Sequence, residues 1–245
     1  MWSHLGLRAL LAFLSGRWCK VVPVGVSRTL MTTARKQVHT ESSVMDGPIT
    51  SGGDKGTLRR TVRRSRAARS PQERQQTEIA VAAAALEVEA VRTASCVAVY
   101  ASLPDEPGTG ELRRRLRALG VRVLLPVVLE TTTQPTLDWA VDAGGLAPTG
   151  VLKLLEPTGE RLGPDAVTQA DVLLIPALAV DTTGLRLGRG RGYYDATLAR
   201  LNPRTPVFAV VHDDELVAEV PAEPHDRRVH GVLTPTRTVF FSSPA

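Results

Sequence analysis

The stretch that most narrows the choice of fold is DVLLIPALAV, residues 171–180, nine apolar residues behind one aspartate. A run with no polar face does not sit half in water; it reads as a strand covered on both faces of a sheet. A few residues later the chain changes character to RLGRGRGYYD, residues 186–195, where Gly188, Gly190 and Gly192 alternate with Arg189 and Arg191 behind Arg186. A helix-compatible run, YYDATLARL, follows. Glycine lets backbone approach a ligand closely and take positive φ. Arginine forks match phosphate or carboxylate oxygens. A strand, a glycine-rich turn and a helix start together place anions at a helix N-terminus. The turn is therefore read as a phosphate-binding loop, against the plainer alternative of a solvated Gly/Arg turn. It is not a P-loop, since no Gly-Lys-Ser/Thr follows. Its G-x-G-x-G spacing is not the G-x-G-x-x-G dinucleotide fingerprint either.

The rest of the chain alternates helices with short apolar strands. DKGTLRRTVRRSRAA predicts a first helix from about Asp54 or Lys55 with a basic face. Ser70, Pro71 and Glu73 form a capping-box start for a second helix, running to about Ala90. CVAVYAS is a strand, GELRRRLRALG a helix ending at Gly120, and VRVLLPVV the next strand. TLDWAVD is expected as an edge strand, and LLEPTGERLG as irregular and turn-rich. DVLLIPALAV is one continuous strand, PVFAVVHD another, and VHGVLTPTRTVFF supplies the last one or two. This pattern predicts an α/β domain, a mainly parallel sheet with helices on both faces in three α/β/α layers. Ligands of such sheets bind beyond the carboxyl ends of the strands, where the glycine turn is expected after DVLLIPALAV.

Residues 1–54 differ in kind. They hold six Lys or Arg against three acids, and their apolar segment LGLRALLAFL is interrupted by Arg8 and too short to span a bilayer. They read as a basic tail, either dispensable or the product of a start assigned too early, with a transit peptide as the alternative. Residues 55–245 form the α/β domain. The net charge of +5 suits an anionic ligand. No RNA-binding signature with interleaved aromatics is present, so no nucleic-acid partner is expected. Two cysteines, Cys19 and Cys96, make no disulfide framework; Cys96 reads as a buried free thiol, and a reducing cytoplasm is the natural setting.

The ordered series KGTLR, YASLPDEPGT, LLPVV, LLEPTG, DVLLIPALAVDTTGLRLGRGRGYYDATL and VPAEPHDRRVHGVLTP resembles the 5-formyltetrahydrofolate cyclo-ligase family, over about residues 55–239. The long central motif is the most specific of these. The resemblance implies an ATP- and magnesium-dependent ring closure of a reduced folate, through a phosphorylated formyl group, with no membrane partner. A nucleotide- or RNA-binding α/β module is one rival reading; an enzyme phosphorylating a different acyl or amide substrate is another.

By that resemblance Lys55 and Arg59, four apart on one helix face, contact ATP phosphates. Arg186, Leu187, Gly188, Arg189, Gly190, Arg191, Gly192, Tyr193 and Tyr194 hold the nucleotide. Arg186, Arg189, Arg191 and Tyr193 are the catalytic candidates, the arginines offsetting charge that grows in the transition state. Ala101, Glu106, Gly190 and Tyr193 fall where the family contacts folate. Asp195 is the first magnesium candidate and Asp226 the second, because magnesium takes one or two carboxylates and completes its shell with phosphate and water. Glu223 ranks behind them, and His225 reads as structural. Asp181 is expected to cap the DTTG turn. Where relatives often carry an aromatic before the EP pair, this chain has Leu152 and Lys153, with Trp139 as a substitute wall and Lys153 as a cation for a polyglutamate tail.

Overall fold

Asp54 is the first described residue. Its side chain accepts from the Thr57 N–H at 2.7 Å and caps α1, Lys55–Ala68. Leu58, Val62 and Arg66 recur every four residues along that helix and form its buried stripe. Arg69 is extended, and Ser70 then caps α2, Pro71–Glu87, through the expected capping box with Glu73 and Pro71 in the first turn. The computed structural model describes residues 54–130, 133–149, 154–223 and 226–241. The tail at 1–53, together with Leu152, Lys153 and His225, lies outside the described residues.

The second helix does not run unbroken to Ala90. Val88 turns extended (φ −73°, ψ 123°), its side chain 4% exposed in the core, and a single further turn, α3, Glu89–Arg92, follows. The Val88 N–H still closes the helix on the Ala85 carbonyl while its side chain enters the core, so the chain turns at this cap. β1, Cys96–Val99, is buried at every position. α4, Gly110–Ala118, closes where expected. Gly120 takes φ +78°, its N–H reaches the Arg117 carbonyl, and the Val121 N–H reaches Leu116, the paired bonds of a Schellman cap. β2, Arg122–Leu129, pairs parallel with β1, and β3, Thr136–Val141, returns antiparallel as the expected edge strand.

The segment read as irregular contains a strand. β4, Leu146–Thr149, pairs antiparallel with β5, Leu154–Pro157, as a separate two-stranded sheet. LLEP has no clear alternation, so the strand is set by its partner rather than by its own pattern. A 3₁₀ turn, Pro164–Gln169, leads into β6, Val172–Pro176.

The ten-residue apolar run is not one strand. β6 ends at Pro176, and β7, Ala179–Asp181, pairs instead with the two-residue β8, Arg186–Leu187, and with β10, Leu216–Val217. Proline has no N–H to continue the ladder, and both sheets bury their residues, so the sequence looks uniform across the change. Asp181 accepts from the backbone N–H groups of Thr183 (2.8 Å) and Leu185 (3.0 Å), capping the DTTG turn as expected. After the glycine turn come α5, Tyr193–Leu198, then β9, Val207–Val210, a 3₁₀ turn at Asp213–Glu215, and the antiparallel pair β11, Gly231–Leu233, and β12, Thr238–Phe240.

The main sheet has seven strands in the order β12-β11-β9-β6-β1-β2-β3, parallel except at its two edges. Alternate residues serve opposite layers. Val97, Val99 and Leu174 meet α2, α3 and α4 through Val81, Val91, Leu112 and Leu116. Ala98, Leu173 and Ile175 face the other layer, with Val167 of the first 3₁₀ turn and Leu198 of α5. The predicted mainly parallel α/β sheet with helices on both faces is what forms. α1 lies apart from these layers and packs Leu58 and Val62 on Leu187 and Val217 of the small sheet and on Leu178, just before β7.

Arg66 fastens α1 there. Its Nε and Nη2 donate to the two carboxylate oxygens of Glu215 at 2.6 and 2.8 Å, and Nη2 also donates to the Ala177 carbonyl at 2.6 Å. Both side chains are at most 1% exposed. Arg66→Met strands a buried carboxylate and is expected to cost about 3–5 kcal/mol in urea unfolding. A loss below about 1 kcal/mol would show that the pair does not hold α1 in place.

Candidate active site

The strand order reverses beside β1: β2 follows on one side and β6 on the other. Loops leaving neighbouring strands in opposite directions open a crevice at their carboxyl ends. A cleft of about 700 Å³ occupies that place. Tyr100 and Ala101 enter from the end of β1, Pro176 and Ala177 from the end of β6, and Pro126 and Val128 from β2. The glycine turn also lines it, but it arrives from β8 in the small sheet and not directly from the long apolar run.

Most of the residues singled out in the sequence line one cleft. Lys55, Arg59, Ala101, Glu106, every residue from 186 to 194, Asp195, Glu223 and Asp226 line the same cleft. Trp139 does not. It is 1% exposed in the core among Leu137 and Val167, so it is no substitute for an aromatic wall.

Cations and carboxylates are interleaved along one side of the cleft. Lys55 Nζ pairs with Asp226 at 2.8 Å and Glu223 at 3.2 Å. Burial disfavours its ammonium charge, but hydrogen bonds to Asp226 and Glu223 outweigh that and raise its pKa. Arg186 has a side chain 5% exposed, bonding Asp195 through Nη2 and the Arg227 carbonyl through Nη1. It therefore ties α5 to the segment that carries Asp226. Arg189 reaches across to the loop after β1, with Nε 3.0 Å from Glu106 and Nη2 2.6 Å from Asp105. Burial pushes the Glu106 carboxyl up, against the opposing pull of the Leu103 N–H and Arg189. Arg191 is exposed at the tip of the turn.

The turn itself is held from α1. Arg59 Nε donates to the Gly188 carbonyl at 3.0 Å. Gly190 (φ +96°) and Gly192 (φ +73°) take the left-handed conformations that the alternating glycines allow. Gly192 precedes α5, but α5 has only six residues and carries Asp195 in its first turn. Handling of an anion here falls to the side-chain cations and the turn's N–H groups more than to a helix dipole, which needs length to accumulate.

The opposite side of the cleft is apolar. Pro126, Val128, Leu137, Leu154 and Leu155 form it, and Tyr193 and Tyr194 border it. Burial raises the Tyr194 phenol well above its usual range, keeping it neutral. These wall residues carry no local signal in the sequence, because a Val or Leu facing a cleft looks the same as one facing the core. Glu156 at the end of β5 also escaped notice; its carboxylate accepts from the Val128 N–H at 2.7 Å and braces β5 against β2. Among the described residues no group of three or more His, Cys, Asp or Glu converges in the way a self-sufficient metal site requires. No described helix is long and apolar enough to cross a membrane.

The 5-formyltetrahydrofolate cyclo-ligase family model matches residues 51–235. The chain is 43% identical over 145 residues to the 5-formyltetrahydrofolate cyclo-ligase of Mycolicibacterium smegmatis, covering 58% of this chain and 75% of that protein. It is 30% identical over 177 residues to the cyclo-ligase of Escherichia coli K12, covering 72% of this chain and 97% of that one. The NMR structure of 5,10-methenyltetrahydrofolate synthetase from Aquifex aeolicus shares the fold, with a TM-score of 0.65 at 22% identity, covering 78% of this chain and 94% of that one.

Gly188 offers a clean test of close approach. A Cβ placed there meets nothing within 4 Å, and its φ is not left-handed. Gly188→Ala is therefore expected to change stability by no more than about 0.5 kcal/mol. If a ligand phosphate packs against this backbone, calorimetric titration should nevertheless show ATP-analogue affinity falling about tenfold or more. Unchanged affinity would mean that nothing packs against this backbone.

Proposed function

The chain belongs to the 5-formyltetrahydrofolate cyclo-ligase family, and from that premise we propose that it closes 5-formyltetrahydrofolate to 5,10-methenyltetrahydrofolate at the expense of ATP, releasing ADP and phosphate. The observation that carries this reading is the two-sided cleft: a cationic, glycine-lined half suited to a triphosphate, joined to an apolar half suited to a flat ring.

The chemistry asks for little covalent help. The formyl oxygen attacks the γ-phosphorus as its bond to ADP breaks. The second folate amine then adds to the formyl carbon and loses its proton. The carbon–oxygen bond breaks, and phosphate departs with the former formyl oxygen. Positioning and charge stabilisation are what a protein adds to such a transfer.

In this reading Lys55 and the arginines of the glycine turn bind the phosphates, with Arg59 acting also through the Gly188 carbonyl. Arg186, Arg189 and Arg191 supply donors where negative charge develops on the transferring group. The apolar wall keeps water from the phosphorylated formyl group, which would otherwise hydrolyse. Glu106 accepts from the donor-rich pterin, Ala101 leaves room for the ring, and Tyr193 packs beside it. The donor set suits magnesium: Asp195 and Asp226 are carboxylates at the phosphate side of the cleft, and this metal takes the rest of its shell from phosphate and water. When bound there it neutralises charge on the phosphate oxygens. Cys96 is a buried free thiol, which accords with work in the cytoplasm.

Purified protein with 5-formyltetrahydrofolate, ATP and magnesium should give the methenyltetrahydrofolate absorbance band only when all three are added. Nucleotide binding with no rise under any condition would refute the cyclo-ligase reading. Asp195→Ala should lower turnover at least about 100-fold with the thermal transition retained. Wild-type turnover in that variant would remove Asp195 from the site.

A further inference from the structure

The Arg189 contact joins two loops with different assignments. In the cyclo-ligase reading, on which this inference rests, Arg189 faces nucleotide phosphate and Glu106 faces the folate ring. In the structure they bind each other, Nε to Oε1 at 3.0 Å, and Asp105 holds the second arm of the guanidinium at 2.6 Å. The Nε and Nη2 edge of the guanidinium is taken up by these two carboxylates, so to present that forked edge to a phosphate Arg189 must leave them.

The two partners are not equally free to leave. Glu106 is anchored. Its Oε2 accepts the Leu103 N–H at 3.0 Å, its own N–H donates to the Leu103 carbonyl at 3.0 Å, and its side chain is 5% exposed. The loop is braced further by Arg74, which donates to the Pro104 carbonyl. Arg189 has a side chain 34% exposed and stands between Gly188 and Gly190. The Gly188 carbonyl is fixed to Arg59, so the free pivot begins at Arg189 itself. The exchange therefore takes place by movement of the arginine.

We propose that Arg189 couples the two halves of the cleft: a nucleotide phosphate draws its guanidinium away from Glu106, which frees that carboxylate for the N–H donors of the folate ring, so that nucleotide binding strengthens folate binding. The Asp105 arm of the contact is about a third exposed on both sides and is a weak competitor for the guanidinium. A phosphate carries more charge and accepts two parallel N–H bonds. Once uncovered, the buried Glu106 oxygen is costly to leave without a donor, and a ring N–H supplies one. The effect is reciprocal, as any coupling between two binding equilibria must be. Arg189 thus acts as a positioning residue for folate in addition to its part in the phosphate half.

The test is calorimetric titration of the full chain with 5-formyltetrahydrofolate, alone and with saturating non-hydrolysable β,γ-imido ATP and magnesium. In the wild type the nucleotide analogue should tighten folate binding about tenfold. In Arg189→Met the ratio should fall to about one. Glu106→Gln, which keeps the side-chain shape but loses the charge that holds Arg189, should also reduce the ratio. The ratio is the readout, since loss of an ordinary structural contact would weaken both titrations equally. A ratio kept in Arg189→Met, or a wild type that binds both ligands independently, overturns the coupling and leaves the cyclo-ligase reading standing. A wild type that binds the nucleotide analogue but no folate overturns both.

Discussion

Everything at the cleft depends on where α1 sits, and that is decided by one buried ion pair. The forked contact of Arg66 with Glu215, shared with the Ala177 carbonyl, joins three segments far apart in the chain. The pair brings little net stability for its own sake, because taking two charges out of water offsets much of their attraction. Its effect is to permit one placement of α1 and penalise others. Lys55 and Arg59 ride on that helix, and Ala177 is itself part of the cleft wall. A fully apolar contact between α1 and the small sheet, Leu58 and Val62 on Leu187 and Val217, would hold the helix with less precision along its axis.

The main sheet contributes the location. Reversal of strand order beside β1 leaves a crevice whatever the loops contain. Filling it with two kinds of surface is the work of the loops and the small sheets. The glycine turn brings cations to one side, and β2, β3 and β5 bring apolar side chains to the other. The carboxylates that intervene, Glu106, Asp195 and Asp226, each pair with a cation from a different element. Each pair has at least one partner well removed from water, which fixes the geometry of the side chains and makes an unpaired partner costly.

Much of the fold could be read residue by residue. The capping box at Ser70 and Glu73, the Schellman close at Gly120 and the cap of the DTTG turn by Asp181 are local, and each formed as its residues dictate. The errors in the strands have a common origin in non-local pairing. DVLLIPALAV reads as one strand because both of its sheets are buried, and only the partners of β6 and β7 show that the chain changes sheet at Pro176. LLEP reads as irregular because its strand exists by virtue of β4. The site divides in the same way. Charged and glycine positions stand out against their surroundings in a sequence, and they do converge on one cleft. Pro126, Val128 and Leu137 do not stand out, since hydrophobicity is the same whether a residue faces the core or a ligand.

The sequence by itself determined the α/β class, the capped helix ends at Ser70 and Gly120 and the family, because these rest on periodicity, capping chemistry and an ordered series of motifs within short spans of chain. Tertiary structure alone decided which strands share a sheet, which apolar residues wall the cleft, and that Arg189 lies against Glu106 and Asp105. Those outcomes depend on segments separated by tens of residues meeting in space, where packing and charge pairing select one arrangement from many that local patterning would allow equally well.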